Sequence, residues 1–196
     1  MNIKIFTFYY TNNYGALIQG LSLKEFLEKN SKLKVDFAQY QPKNLLYREI
    51  YRPILKKNLI DAFKNIIKSY RLKNWKKKKN LPSPIYNKEI NNSLISVYGS
   101  DSIWHTFSYI GFQPYYFGNK NDGFKISYAA SIGPTNFDNT DDVTLEKIRE
   151  LLNEYDHISV RDTNTAKLVK KMTGKDPLVV VDPIFLTDLN FINYSK

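Results

Sequence analysis

An α/β domain built on a mostly parallel sheet with helices on both faces is the fold class this sequence predicts, and three patterns predict it. Strand-like and helix-like segments alternate from one end of the chain to the other. The strand segments are short, nearly continuous apolar runs, as expected where a sheet is covered on both faces. Each run stops abruptly at a loop of small or polar residues, such as Gly99-Ser100-Asp101 or Ser131-Ile132-Gly133-Pro134.

Residues 2–9 read as the first strand, broken by Thr11-Asn12-Asn13-Tyr14-Gly15. Residues 16–28 predict a helix, because Leu17, Leu21, Leu23, Phe26 and Leu27 recur at helical spacing while Lys24, Glu25 and Glu28 stay polar. Residues 35–40 read as the next strand. Strand, tight loop, helix and strand in succession imply parallel neighbours, since such crossovers are right-handed. Residues 43–90 predict a basic helical insertion ended by Pro82-Ser83-Pro84, with Leu59, Phe63, Ile66, Ile67 and Tyr70 along one side of its helix. Further strands are expected at 94–98, 125–130, 157–160 and 178–181, the last of them buried. A helix over 144–155 follows the acidic Asp141-Asp142 pair, and Asp162 and Gly174 bracket another that runs to Met172. Residues 1–196 together read as one domain.

Composition narrows the chemistry. At 196 residues and 42% hydrophobic content the chain can bury one substantial core. The absence of cysteine excludes disulfides, thiolate nucleophiles and cysteine-ligated metals. With only His105 and His157 as imidazoles, no metal is expected. The N-terminus has no secretory-leader pattern, and no run nears the roughly 18 apolar residues of a spanning helix, so a cytoplasmic location is expected.

The net charge of +10 is concentrated in one segment. Residues 56–79 hold ten Lys or Arg against Asp61 alone, 10 − 1 = +9, which leaves +1 for the rest of the chain. Such a segment is either a solvated helix or a contact for a polyanion, a nucleic acid or an anionic membrane.

Ligands of open α/β sheets bind outside the carboxyl ends of the strands. Asn13-Tyr14-Gly15 follows the first strand and opens a helix, so its free backbone N–H groups and its glycine suit an anion or a sugar. Neither a dinucleotide-binding glycine fingerprint nor a P-loop is present. The next loop joins Ser100 and Asp101 to Trp104, hydroxyl and carboxylate beside an indole on which a pyranose could stack, and Asp101 could deprotonate an acceptor hydroxyl. In the alternative, Asp101 caps a helix starting at Ser102 and Trp104 packs in the core. Ser131 and Gly133 end a third strand, leaving room for close backbone approach or simply for small-residue packing under a helix. Arg161 follows Ile158-Ser159-Val160 and either grips a phosphate or carboxylate or pairs with Asp162 or Asp182. His157 reads as structural, and His105 stays open. The loops of Asn13, Asp101, Ser131 and Arg161 are expected to share one rim.

Asn13-Tyr14-Gly15-Ala16 with Gln19, GSDSIW at 99–104, KISYAASIG at 125–133, ISVRD at 158–162 and VVVDPIFL at 179–186 together resemble the polysaccharide pyruvyl transferase family in order and spacing. The resemblance implies a GT-B-like enzyme of two facing Rossmann-like domains, with this chain as the N-terminal domain on the acceptor side of the cleft. It implies transfer of a pyruvyl group from phosphoenolpyruvate, a co-substrate with no further cofactor, to two hydroxyls of a sugar in a cell-surface polysaccharide. A lipid-linked saccharide acceptor is the implied partner, which favours a membrane over nucleic acid as the surface met by residues 56–79. The substrate-binding residues implied are Asn13, Tyr14, Gly15, Gln19, Ser100, Asp101, Trp104, Ser131, Gly133 and Arg161; the resemblance carries over no catalytic residue, and Asp101 is a candidate for catalysis by its own chemistry alone. The donor-binding basic residues of the family lie mostly in a second half that would follow this sequence, so a C-terminal domain or self-association is expected to complete the cleft. Ser102 and His105 depart from the family's usual glutamine and asparagine. The competing reading is a non-catalytic module that binds a glycan or a partner.

Overall fold

A computed structural model describes residues 2–42, 59–86, 93–106, 111–119 and 122–189. Much of the predicted insertion, including Lys56 and Lys57, lies outside these residues. The elements in chain order are β1 (Asn2–Phe6), α1 (Tyr14–Ser31), β2 (Lys34–Phe37), β3 (Tyr40–Gln41), α2 (Leu59–Lys78), β4 (Ile85–Tyr86) and β5 (Ile95–Tyr98). There follow α3 (Pro114–Phe117), β6 (Phe124–Ala130), α4 (Asp142–Asn153), β7 (His157–Val160), α5 (Thr163–Thr173) and β8 (Leu178–Val179), with 3-10 turns at Phe137–Asn139 and Pro183–Leu186.

Six strands form one sheet in the order β2-β1-β5-β6-β7-β8, and every neighbouring pair is parallel. The sheet is Rossmann-like and doubly wound. Ile5 pairs with Phe37 on one side and Val97 on the other, and a Cβ on Gly20 of α1 would meet the Phe37 ring at 3.3 Å, so α1 lies on that face. Tyr98 and Lys125 point the opposite way. There Tyr98 meets Tyr155 at 5.5 Å between ring centroids, and the buried Lys125 ammonium pairs with Glu154 at 3.1 Å, both partners just beyond α4. Both faces are therefore covered by helices, as the strand composition predicts.

Local chemistry sets the helix boundaries. Asp141 Oδ1 accepts from Thr144 N at 2.8 Å and starts α4, whose Ile148, Leu151 and Leu152 are buried. Asp162 Oδ1 accepts from Thr165 N at 2.8 Å and starts α5. Gly174, at φ +73°, ends α5 by donating its N–H to Lys170 O at 2.9 Å.

Three expectations change. The first strand ends at Phe6 rather than residue 9, because Phe8, Tyr9 and Tyr10 bury their rings in the following loop instead of continuing the ladder. Tyr9 stacks on Phe37 at 4.6 Å, and Phe8 meets Tyr116 edge-on at 4.8 Å. The strand expected over 35–40 splits, since Tyr40 and Gln41 pair instead with Ile85 and Tyr86 in a separate two-stranded sheet. Finally, Leu178 and Val179, expected to be buried, are 72% and 52% exposed because β8 is the sheet's outer edge.

β6 carries a bulge between Ser127 and Ala130, with Ala129 at φ +50°, and Gly99 fits against it. Gly99 sits at φ +134°, and a Cβ there would fall 2.0 Å from the Tyr128 carbonyl oxygen. Only glycine fits. Gly99→Ala should therefore lower stability by at least ~4 kcal/mol in urea unfolding, as a backbone clash adds to dihedral strain. Gly174→Ala should cost only about 1–2 kcal/mol, since the left-handed conformation is its main penalty and nothing beyond its chain neighbours lies within 4 Å of the added methyl.

Candidate functional site

A sheet of wholly parallel strands sends every strand-to-helix loop to one edge, so the loops after β1, β5, β6 and β7 meet there. Counting only the main-sheet strands, their order is 2-1-3-4-5-6, and the winding direction reverses between β1 and β5. The crevice at such a reversal is the usual ligand position. Here it is bounded by the loop of Asn13 and the loop of Asp101.

The backbone ties the loops after β5, β6 and β7 together. Ser131 N donates to Asp101 O at 3.1 Å, Trp104 N donates to Ser131 O at 3.1 Å, and Arg161 N donates to Ala130 O at 3.0 Å. Ser131 Oγ donates to Asp162 Oδ2 at 2.7 Å and accepts from Gly133 N at 2.9 Å. Gly133, at φ +59°, lies against Ser102, whose Cβ is 3.1 Å from where a Cβ of its own would sit. Ser102, one of the two residues that depart from the pattern noted in the sequence, thus packs against the neighbouring loop.

A second chain of contacts crosses the rim. Arg161 Nη1 pairs with Asp182 Oδ2 at 3.4 Å, and Gln19 of α1 donates to that same carboxylate oxygen. The segment carrying Asp182 returns from β8 to α1, fixed by Tyr128 Oη donating to Val181 O at 3.2 Å. Gln19, Arg161 and Asp182 thereby join α1 to the far strands. Asp182 is the one member with no binding role in the sequence reading, and its signal was the aspartate ahead of Pro183 at the end of an apolar run.

Two carboxyls on this rim are tuned in opposite directions. Asp101 is raised above the ordinary aspartate value by burial, against which the Ser102 N–H at 2.7 Å and the nearby Arg161 charge act only in part. For Asp162, burial also pushes upward, but the bonds from Ser131 and from Thr165 N and Oγ1 outweigh it and hold the carboxyl below its usual range.

Several expected contacts take a different form. Asn13 caps α1, its Oδ1 accepting from Gly15 N at 2.9 Å, so the N–H expected to be open to an anion is occupied by the chain's own side chain. Tyr14 stays half exposed, with the Lys68 ammonium 4.7 Å above its ring. Trp104 is 0% exposed, which rules out sugar stacking. Its Nε1 donates to Tyr116 O at 2.9 Å and its ring stacks on Phe117, so the core-packing alternative holds for this residue. Ser100 is also fully buried, its hydroxyl without a partner among the described residues. Arg161 makes the Asp182 pair expected as its alternative role, while keeping part of its side chain exposed. His157 begins β7 beside the Phe124 ring, and His105 lies 5.9 Å from the Phe8 ring. Among the described residues no group of three or more His, Asp or Glu is placed to hold a metal ion, and no helix is long and apolar enough to cross a membrane.

The polysaccharide pyruvyl transferase family model matches residues 13–195, nearly the whole chain. The chain belongs to the polysaccharide pyruvyl transferase family. Searches of curated proteins and of solved structures gave no match. Membership implies transferase activity, and the matched region begins at the cap of α1 and contains every rim residue described above. In this member of the family, Asn13, Gln19, Asp101, Ser131 and Arg161 stand at the carboxyl edge of the sheet, while Trp104 and Ser100 are buried beneath it.

The two carboxyls predict opposite pH effects on stability. Below the unfolded-state value Asp101 is protonated in both states; above it only the unfolded chain releases the proton until the raised folded value is passed. Stability contributed by Asp101 therefore falls as pH rises through that window. Asp101→Asn should unfold at higher denaturant than wild type at pH 7, with the difference vanishing below about pH 4. Asp162→Ala should lose about 1–2 kcal/mol at pH 7, less as pH drops below the ordinary carboxyl range, because the contribution of Asp162 disappears as it is protonated.

Proposed function

We propose that this chain forms the acceptor side of an enzyme that transfers a pyruvyl group from phosphoenolpyruvate to two hydroxyls of a sugar in a cell-surface polysaccharide. One observation carries the reading: a family match over nearly the whole chain coincides with a rim where a partly buried carboxyl, Asp101, sits within the field of Arg161.

In the proposed reaction a proton adds to the methylene carbon of phosphoenolpyruvate, making it a methyl group and leaving positive charge on the carbon that bears the phosphate. Two acceptor oxygens bond to that carbon and the carbon–oxygen bond to phosphate breaks. Of the two hydroxyl protons released, one balances the proton taken up by carbon and the other leaves on phosphate. Asp101 is the base for an acceptor hydroxyl, since its raised value makes it a better proton acceptor once ionised. The Arg161 charge favours the ionised form of that carboxyl against the burial that opposes it, and Arg161 is held in turn by Asp182, to which Gln19 also donates. Gly15, Tyr14 and Asn13 line the opposite side of the crevice, where the acceptor saccharide lies. Buried Trp104 positions the loop.

The experiment is phosphate release from phosphoenolpyruvate by the natural full-length protein in the presence of candidate saccharide acceptors. Asp101→Asn should reduce turnover by roughly 10²–10⁴-fold while leaving saccharide binding within a few-fold. Arg161→Gln should shift the acid limb of the pH–rate profile upward, because removing the guanidinium raises the Asp101 value further. A full-length protein that neither releases phosphate nor binds donor or saccharide would return the rim to a purely structural role.

A further inference from the structure

Helix α2 has two faces with opposite character. Turning by ~100° per residue, Asn65, Lys68, Ser69, Leu72, Trp75, Lys76 and Lys79 fall on one side. That side docks. Leu72 is buried, Asn12 Nδ2 donates to Ser69, Lys76 Nζ donates to Thr11 O at 3.1 Å, and Lys68 sits over Tyr14. The helix is thus held on the loop that leaves β1, beside the crevice.

On the opposite side Ile60, Phe63, Ile66, Ile67 and Tyr70 form a continuous apolar stripe, Phe63 and Tyr70 being 65% and 67% exposed. The structure turns this stripe outward, because the contacts to Thr11, Asn12 and Tyr14 use the other side of the helix. Lys64 and Arg71 flank the stripe on one edge and Lys73 on the other, with Lys77 and Lys78 extending it, all five exposed. Residues 59–79 carry eight Lys or Arg against Asp61.

We propose that this outward face of α2 is a membrane-binding surface, laying Phe63, Ile67 and Tyr70 into the headgroup–acyl boundary of an anionic bilayer while the flanking cations meet lipid phosphates. An apolar stripe with cations on both edges is the arrangement that lies in the plane of such an interface, where long basic side chains reach up to the headgroups. The helix cannot span, so it lies on the surface. A second copy of the chain fits less well, since pairing two such stripes would crowd Lys64, Arg71 and Lys73 against their own counterparts. A nucleic acid would satisfy the charges but leave five large apolar side chains in water. The inference does not depend on pyruvyl transfer.

The test is co-sedimentation of the full-length protein with vesicles of phosphatidylcholine alone or in equal mixture with phosphatidylglycerol. Binding is expected only to the anionic vesicles, weakening as salt rises. The triple variant Phe63→Ser, Ile67→Ser, Tyr70→Ser should bind at least tenfold more weakly, and Lys64→Gln, Arg71→Gln and Lys73→Gln should each lose roughly fivefold. These positions are exposed, so circular dichroism of the variants should match wild type. Equal binding to both vesicle types, no binding to either, or full binding by the serine variant overturns the proposal. So does a lipid-free dimer abolished by the serine variant, or duplex DNA that binds wild type and serine variant alike and more tightly than anionic vesicles. Phosphoenolpyruvate turnover is measured separately, so failure of one reading leaves the other intact.

Discussion

Everything at the rim depends on the parallel alignment of the six strands. A parallel pair cannot close through a tight hairpin and must return by a crossover, so each strand delivers its outgoing loop to one edge. Asn13, Asp101, Ser131 and Arg161 are separated by up to 148 positions along the chain, 161 − 13, and meet because their strands point the same way. The second requirement is close approach. Gly99 enters the bulge of β6, and the backbone bonds between Asp101, Ser131 and Trp104 depend on that fit.

The secondary structure was legible wherever local chemistry and packing agree. Asp162 and Gly174 bracket α5 because a carboxylate cap and a left-handed glycine act within a few residues of themselves. The run His157–Val160 is short, β-rich and bounded on both sides, and its strand has the expected limits. Legibility failed where the partner is distant. Nothing local to Phe8, Tyr9 and Tyr10 says that Phe37 and Tyr116 will draw their rings out of the strand. Burial of Leu178 and Val179 cannot be read from their apolarity, which is equally compatible with a central strand and an edge.

The site was legible as a set of loops and less so as a set of roles. Its residue types suit a saccharide, and composition alone cannot tell an indole that meets a sugar from one that fills a core. Trp104 went inward because Phe117, Tyr155 and the Tyr116 carbonyl surround it. Asn13 spent its side chain on Gly15 N because an uncapped helix start is the nearest unsatisfied group. The family resemblance pointed to the loops; packing divides their residues into Asp101 and Arg161, partly exposed at the rim, and Ser100 and Trp104, fully buried below it.

Burial of Trp104 also bears on Asp101, three residues earlier. Gly99 is wedged into one strand and the indole is locked into the core, so the carboxyl between them hangs on a span fixed at both ends. The conformational freedom of that loop is given up when the chain folds, and little remains to be lost when a ligand arrives. A carboxyl on such a mount keeps a set direction instead of sampling many.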